Sequence, residues 1–309
     1  MLRAANETSQ ADGLEIVRTL ESIQRDYAAL RDSDPAQDVV VAESGGELVA
    51  YARSMQWTVA DGRMVLGQLG FVPPQWRRRG IGKALLAWLE QRQREVAARH
   101  PGATGYTHHA YTWETEADRE HLLRKTDYVP ARRFLFMVRP HLRDIPDFSL
   151  PAGIEVRPVL PEQHRLIWDA HIEALRGIWG FTPPTPADYE AWLRQPSFQP
   201  RLWQIAWDTD TGEVAGQVKP FIDAEQNRVY GRLRGFTEFI SVGERWRRRG
   251  IARALVALAL RAQRDAGMME SALGVDSENT DRAAEIYEAC GFRTVRRSTT
   301  WRKPFVIGA

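Results

Sequence analysis

Residues 76–85 read WRRRGIGKAL, and residues 246–255 read WRRRGIARAL. Eight of the ten positions agree, at a separation of 170 residues. A packed core has no use for such a run of arginine and glycine; a phosphate does. Each copy follows a strand-like stretch (residues 65–72 and 237–242) and opens an amphipathic helix. A helix N-terminus leaves backbone N–H groups unpaired and carries partial positive charge, which suits an anion. Gly80 and Gly250 let backbone and phosphate approach closely, and the arginines add charge. The repeat predicts two similar domains, each built to hold a phosphorylated ligand.

The bulk composition agrees. A chain of 309 residues accommodates two domains of about 150 each, and a hydrophobic content of 43% supports a core in both. The net charge of +2, from 42 basic and 40 acidic residues, is too balanced to demand a nucleic-acid partner. Only four of the basic residues are lysine: Lys83, Lys125, Lys219 and Lys303. The single Cys290 forms no internal disulfide and no cysteine metal site, which points to a reducing compartment and the cytoplasm. His164 and His171 lie seven apart and His108-His109 stand without a partner cluster, so no metal is expected. MLRAANETSQADG lacks the apolar core of a signal peptide. The longest apolar run, residues 254–260, is far short of a membrane span, so no membrane partner is expected.

Along the first half, the pattern predicts a helix over 10–30 and strands over 39–42 and 48–55, joined by the turn Ser44-Gly45-Gly46-Glu47. Ile81, Leu85, Trp88 and Leu89 fall on one helical face. A strand over 106–112, a helix over 117–124 and a strand over 134–139 follow. RPHLRDIPDFSLPAG (139–153), with three prolines and few periodic residues, reads as a linker. The second half starts again with a strand over 154–157 and helices over 162–175 and 187–193. A hairpin of 203–208 and 214–222 turns at Thr211-Gly212. A strand over 237–242, the helix after Gly250, a strand over 273–276, a helix over 281–289 and a strand over 294–302 complete it. Strands alternating with helices argue a mixed α/β fold of the α+β kind. The expected layout is a first domain over 1–140, a linker over 141–153 and a second domain over 154–309, each a mixed, mostly antiparallel sheet flanked by helices.

The motif Arg-x-x-Gly-x-Gly/Ala is met twice, as Arg77-Arg78-Arg79-Gly80-Ile81-Gly82 and Arg247-Arg248-Arg249-Gly250-Ile251-Ala252. The second copy is followed by VDSENTDRAAEIYEACGF (275–292), which sets Asn279 eight residues before Tyr287 and ends in Gly291-Phe292. Together these resemble the GNAT acyltransferase superfamily, across nearly all of both halves. The resemblance implies acetyl-CoA as cofactor. Its pyrophosphate would lie on the backbone N–H groups around Arg247, Arg248, Arg249, Gly250, Ile251 and Ala252. Its pantetheine arm would run past Ile240, Val242 and Asn279. In the first half Arg77, Arg79, Gly80 and Gly82 would play the phosphate part.

Amine acetylation needs a base for the amine, stabilisation of the thioester oxygen, and an acid for the departing thiolate. The resemblance makes Tyr287 the acid and Glu238 the base. Each has a plainer reading: Tyr287 as core packing, Glu238 as partner of an arginine, and Asn279 as cap of a helix starting near Asp281. Shifting by 170 places Gln68 where Glu238 stands; aligning Asp127-Tyr128 with Gly291-Phe292 sets Thr115 opposite Asn279 and Leu123 opposite Tyr287. The first half is therefore expected to bind CoA non-productively or to act as a scaffold, and the second to catalyse. The resemblance places the acceptor beside His171, Arg176, Trp179, Phe181, Tyr189 and Trp192, with core and interface packing the alternative for each. The expected activity is transfer of an acetyl group to a primary amine of a small molecule or peptide, against the alternative of a CoA-binding sensor. A monomer with an internal pseudo-dimer, or a homodimer, is expected.

Overall fold

The computed structural model describes residues 1–28, 30, 33–279 and 283–307. It divides into two compact units, Met1–Arg133 with Ser298–Ala309, and Phe134–Arg297. The units therefore cut the chain elsewhere than at the two sequence halves. Local pattern marks a strand but not which distant strand it joins.

The first unit runs α1 (Leu2–Ala11), α2 (Leu20–Ala28), α3 (Pro35–Asp38), β1 (Val39–Ser44), β2 (Glu47–Thr58), β3 (Met64–Phe71), α4 (Ile81–Ala98), β4 (Tyr106–Trp113), α5 (Ala117–Lys125) and the start of β5 (Val129–Arg139). β1 and β2 form a hairpin closed at Ser44↔Glu47. Its two turn residues, Gly45 and Gly46, have φ of 59° and 80°, the double positive φ that matches strand twist in a two-residue loop. β3 pairs antiparallel with β2 and parallel with β4, the parallel link being made by α4. The α4 stripe foreseen in the sequence is buried: Leu85 and Leu89 pack on Ala50 and Ala52, while Leu86 joins Ala110, Leu123 and Tyr128. Residues 298–305 pair antiparallel with β4, and Trp301 completes that core with its indole N–H on Thr112 Oγ1 at 2.8 Å.

The second unit contains β6 (Ile154–Val156), α6 (His164–Leu175), α7 (Pro186–Leu193), β7 (Gln204–Asp208), β8 (Val214–Val218), β9 (Phe221–Ile222), α8 (Ala224–Tyr230), β10 (Arg234–Phe236), β11 (Ser241–Val242), α9 (Ile251–Asp265), β12 (Glu270–Asp276), α10 (Ala283–Ala289) and the start of β13 (Arg293–Phe305). β6, β7, β8 and β11 pair antiparallel in that order. β10 lies parallel to β12 and antiparallel to β9, and residues 134–139 pair antiparallel with β12. Ile251, Leu255, Val256, Ala259 and Leu260 of α9 bury one face against Leu273, Val275 and Phe292. Full burial of such aliphatic side chains stabilises by about 1.5–3 kcal/mol each. Residues 140–153 are irregular, as expected of a linker, yet Leu142 is buried in this core and Ile145, Phe148 and Leu150 pack on it.

Four expectations change. The helix expected over 10–30 is two helices: Gly13 at φ 65° turns the chain out of α1, and α2 begins at Leu20. Ala29, inside that expected helix, lies outside the described residues. The strand expected over 214–222 breaks between β8 and β9 at Lys219-Pro220, where proline has no N–H for a ladder. Of the strand expected over 237–242 only Ser241–Val242 forms, as β11; β10 ends just before it at Phe236, and Phe239 takes φ 53° in between. An unforeseen α8 follows Asp223, whose side chain caps it by accepting the Gln226 N–H at 2.8 Å.

The break positions the site. β10 stays with β12 as far as Phe236↔Ala272, and β11 then joins β8, so the chain changes sheets across Thr237–Ile240. In the first unit β3 and β4 pair only as far as Gly67↔His109. Shifted by 170, Gly67 falls on Thr237, one residue past Phe236, so each parallel pair parts just before Gln68 or Glu238. Both units open a V at the same place.

Candidate active site

The two arginine loops have the same backbone. Arg78 and Arg248 take φ of 60° and 63°, and Gly80 and Gly250 both take 84°. A left-handed arginine costs about 1–2 kcal/mol, so the fold sustains some strain here. The first arginine of each copy braces the loop. Arg77 Nε donates to Val72 O at 3.0 Å, and Arg247 Nε to Val242 O at 3.2 Å. Arg77 also grips the Asp12 carboxylate with two bonds of 2.8 Å, and Arg247 reaches Ala174 O at 3.1 Å. Arg79 lies over Trp76, and Arg249 reaches Ala152 O at 3.5 Å. Among the described residues the N–H groups of 78–83 and 248–253 meet no backbone acceptor. Gly82 and Ala252 lie inside these runs. Two clusters of unpaired amides at helix starts are what an anionic ligand requires.

The V of the second unit holds Glu238. Thr237 before it is tied down three ways: its N–H to Ala272 O at 2.8 Å, its hydroxyl to Ser271 Oγ at 2.8 Å, and Gln263 Nε2 to that hydroxyl at 2.9 Å. The half-buried Glu238 reaches across the V and accepts the Gly274 N–H of β12 at 2.9 Å. Burial pushes its carboxyl up to about 7, and the Gly274 N–H only partly opposes this. Tyr287 of α10 is buried, with its ring near Phe292. Burial first, then the Glu238 charge, raises its hydroxyl well above the usual tyrosine value, so it holds its proton. Asn279 follows β12, half-buried, with its N–H on Asp276 O at 3.3 Å. Asp281, where its capped helix was expected to begin, lies outside the described residues. Ile240 and Val242 are half-buried against the main core.

The six acceptor-side candidates divide. His171 is buried with Nδ1 2.9 Å from Ser241 Oγ, and its ring lies 6.2 Å from that of Phe239. Burial, and secondly the nearby Lys219, hold its imidazole neutral. Trp192 stacks on Trp203 at 5.3 Å, and Tyr189 packs behind it against Trp168. Arg176 is exposed and paired with Glu173 at 2.8 Å. Trp179 and Phe181 sit half-buried on the irregular segment after α6. Sequence reading missed the residue at the centre. Lys219 is buried, with Nζ 5.1, 5.8 and 5.6 Å from the ring centres of Trp192, Trp203 and Phe239. Burial pulls its ammonium down to about 7. The only advance signal was a lysine inside an apolar strand of an arginine-rich chain.

The first unit keeps a cavity of about 430 Å³ beside its arginine loop, lined by Gln68, Arg78, Gly80, Gly82 and Lys83 among others. Where Glu238 stands in the second unit, Gln68 here donates to the Tyr128 hydroxyl at 3.0 Å. Leu123, opposite Tyr287 in the repeat, is buried core. Among the described residues no group of three His, Cys, Asp or Glu could hold a metal ion, and no helix is long and apolar enough to cross a membrane.

Residues 164–292 match the model of the Acetyltransferase (GNAT) family, and residues 35–130 match that of an Acetyltransferase (GNAT) domain. The chain is 30% identical over 308 residues to a mycothiol acetyltransferase from Kineococcus radiotolerans, covering 94% of this chain and 88% of the relative. It is 28% identical over 316 residues to a mycothiol acetyltransferase from Geodermatophilus obscurus, covering 98% and 92%. A solved GCN5-related N-acetyltransferase from Sphaerobacter thermophilus superposes with a TM-score of 0.73 at 27% identity, covering 98% of this chain and 90% of the other.

Proposed function

Because the chain belongs to the GNAT acetyltransferase family, as a tandem member and an N-acetyltransferase, we propose that its second unit moves an acetyl group from acetyl-CoA to a primary amine of a small molecule. GNAT acetyltransferases take acetyl-CoA as donor, which supplies an activated thioester. The residues present fit it: the unpaired amides of 248–253, held open by left-handed Arg248 and Gly250, form a cradle for its phosphates.

The reading rests most on Glu238. Its carboxyl bridges the V on the Gly274 N–H, and its proton leaves near pH 7. A base is most useful when its pKa lies near the working pH. Glu238 takes the proton from the acceptor ammonium. Tyr287, which holds its proton to high pH, returns one to the thiolate. Gln263, Ser271 and Thr237 fix the backbone from which Glu238 projects.

The first unit, with a cavity but with Gln68 and Leu123 in place of the base and acid, acts as a ligand-holding or scaffold domain. The relatives named mycothiol acetyltransferases favour a small-molecule amine as acceptor over a peptide. A cytoplasmic setting suits this donor. The test is a coupled assay for free CoA with a panel of amines, alongside a calorimetric titration of acetyl-CoA. Amine-dependent CoA release supports the reading. Tight acetyl-CoA binding without release for any amine overturns it in favour of a CoA sensor.

A further inference from the structure

The aromatic box around Lys219 has no part in the chemistry assigned to Glu238 and Tyr287. Lys219 is 1% exposed, and among the described residues its ammonium meets no hydrogen-bond acceptor. Among the described residues no carboxylate opposes its desolvation. The indole N–H of Trp203, one wall of the box, is also buried without an acceptor. Gln217, two residues earlier, spends its amide N–H on Ile167 O at 3.1 Å, and its carbonyl oxygen does not reach the lysine. Two buried donors thus meet no acceptor among the described residues, and the ammonium meets only ring faces. Rings stabilise an ammonium, yet they supply neither a hydrogen bond nor a counter-charge. An isolated buried cation is costly and persists where something else completes it.

The walls differ in exposure. Trp192 and Trp203 are 8% and 4% exposed, but Phe239 is 37% exposed. Phe239 has φ 53° and sits where the chain changes sheets, next to Glu238. A large ring held in the left-handed region by the strand break is the outer wall of the box. It stands between solvent and Lys219.

We propose that Lys219, with the Trp203 N–H, forms an anion subsite of the acceptor pocket that takes a carboxylate carried on the amine substrate, admitted past Phe239. This deepens the acetyltransferase reading and rests on it for the identity of the bound molecule as an acceptor. The backbone N–H of Lys219 bonds to the backbone oxygen of Glu238 at 3.0 Å, so base and subsite stem from adjoining stretches of chain, just beyond β8 and just beyond β10. An acceptor that carries both an amine and a carboxylate would engage the base and the subsite together. His171, neutral and tied to Ser241, closes the box without adding charge.

The full-length protein is tested with matched probes: L-alanine and L-phenylalanine against their carboxamides. The carboxamides have the less basic amines, which biases the assay against the expected result. Wild type is expected to favour the acids at least tenfold in kcat/KM, and in Lys219→Met this ratio falls to near one through KM. A ratio equal in both proteins overturns the subsite. A second readout needs no turnover: calorimetric binding of N-acetyl-L-phenylalanine, with Lys219→Gln as a second variant and thermal unfolding as the folding control. At least tenfold weaker binding in both variants supports the subsite even where no amine is acetylated, in which case the acetyltransferase reading fails alone. No binding to wild type, or equal binding to all three proteins, removes the subsite.

Discussion

Lys219 donates its backbone N–H to the carbonyl of Glu238 at 3.0 Å, across the point where the chain leaves one sheet for the other. These are the two groups of the second unit that burial brings to a pKa of about 7, one from each direction. Desolvation disfavours the charged form of both, raising the acid and lowering the base. A broken strand places them here: side chains and backbone that would have completed a ladder line an opening instead.

The first prediction is a pH profile. With Glu238 titrating near 7, kcat/KM for an amine without a carboxylate rises through that pH as the Glu238 carboxylate forms and levels off above it. Glu238→Gln removes this limb and lowers kcat by about 10²–10⁴. Rates measured from pH 5.5 to 9 in both proteins check it. A wild-type limb near 4.5 would mean that burial does not perturb this carboxyl.

Lys219 gives a stability prediction with the opposite sign. Its folded pKa, about 7, lies below the ordinary lysine value of 10.5. Its contribution is therefore fully present above about 10.5 and is lost as the pH falls toward 7. Lys219→Met carries no such loss. The variant gains on wild type by up to about 1.4 kcal/mol for each pH unit lowered within that window, and no further below 7. Urea unfolding of both proteins at pH 7, 8 and 9 measures the gap. A gap independent of pH would place the lysine in contact with water or a counter-ion.

The braces predict unequal effects. Arg77→Ala leaves the buried Asp12 carboxylate without its two bonds, and destabilises the first unit by roughly 2 kcal/mol, less than a fully buried pair would. Arg247→Ala removes its bonds to the carbonyls of Val242 and Ala174 and should cost about 1 kcal/mol. Its main effect is on the loop, with acetyl-CoA binding weakened about tenfold. Denaturation and calorimetry on each variant separate the two. Equal destabilisation by both would remove the distinction.

What was legible in advance follows from how local each feature is. The paired loops were open to reading because a ten-residue repeat carries its own backbone: Gly80 and Gly250 share one φ, and Arg77 and Arg247 make one contact. Glu238 and Tyr287 were named through the family resemblance that the motifs carry. Lys219 was not, because its environment comes from Trp192 and Trp203 on other elements and from the turn at Phe239. Nor did alternation in residues 237–242 reveal a break, since a positive φ at phenylalanine has no composition signal. Residues 298–302 read correctly as part of a strand, which runs on to Phe305, but that residues 298–305 join β4 is a long-range pairing no local pattern encodes.

The most direct test of the central claim is steady-state CoA release by the double variant Glu238→Gln, Tyr287→Phe, with acetyl-CoA binding measured on the same sample. The account predicts turnover at least a thousandfold below wild type while acetyl-CoA binds as before. Turnover left intact, with binding unchanged, would move the chemistry out of this V and contradict the account.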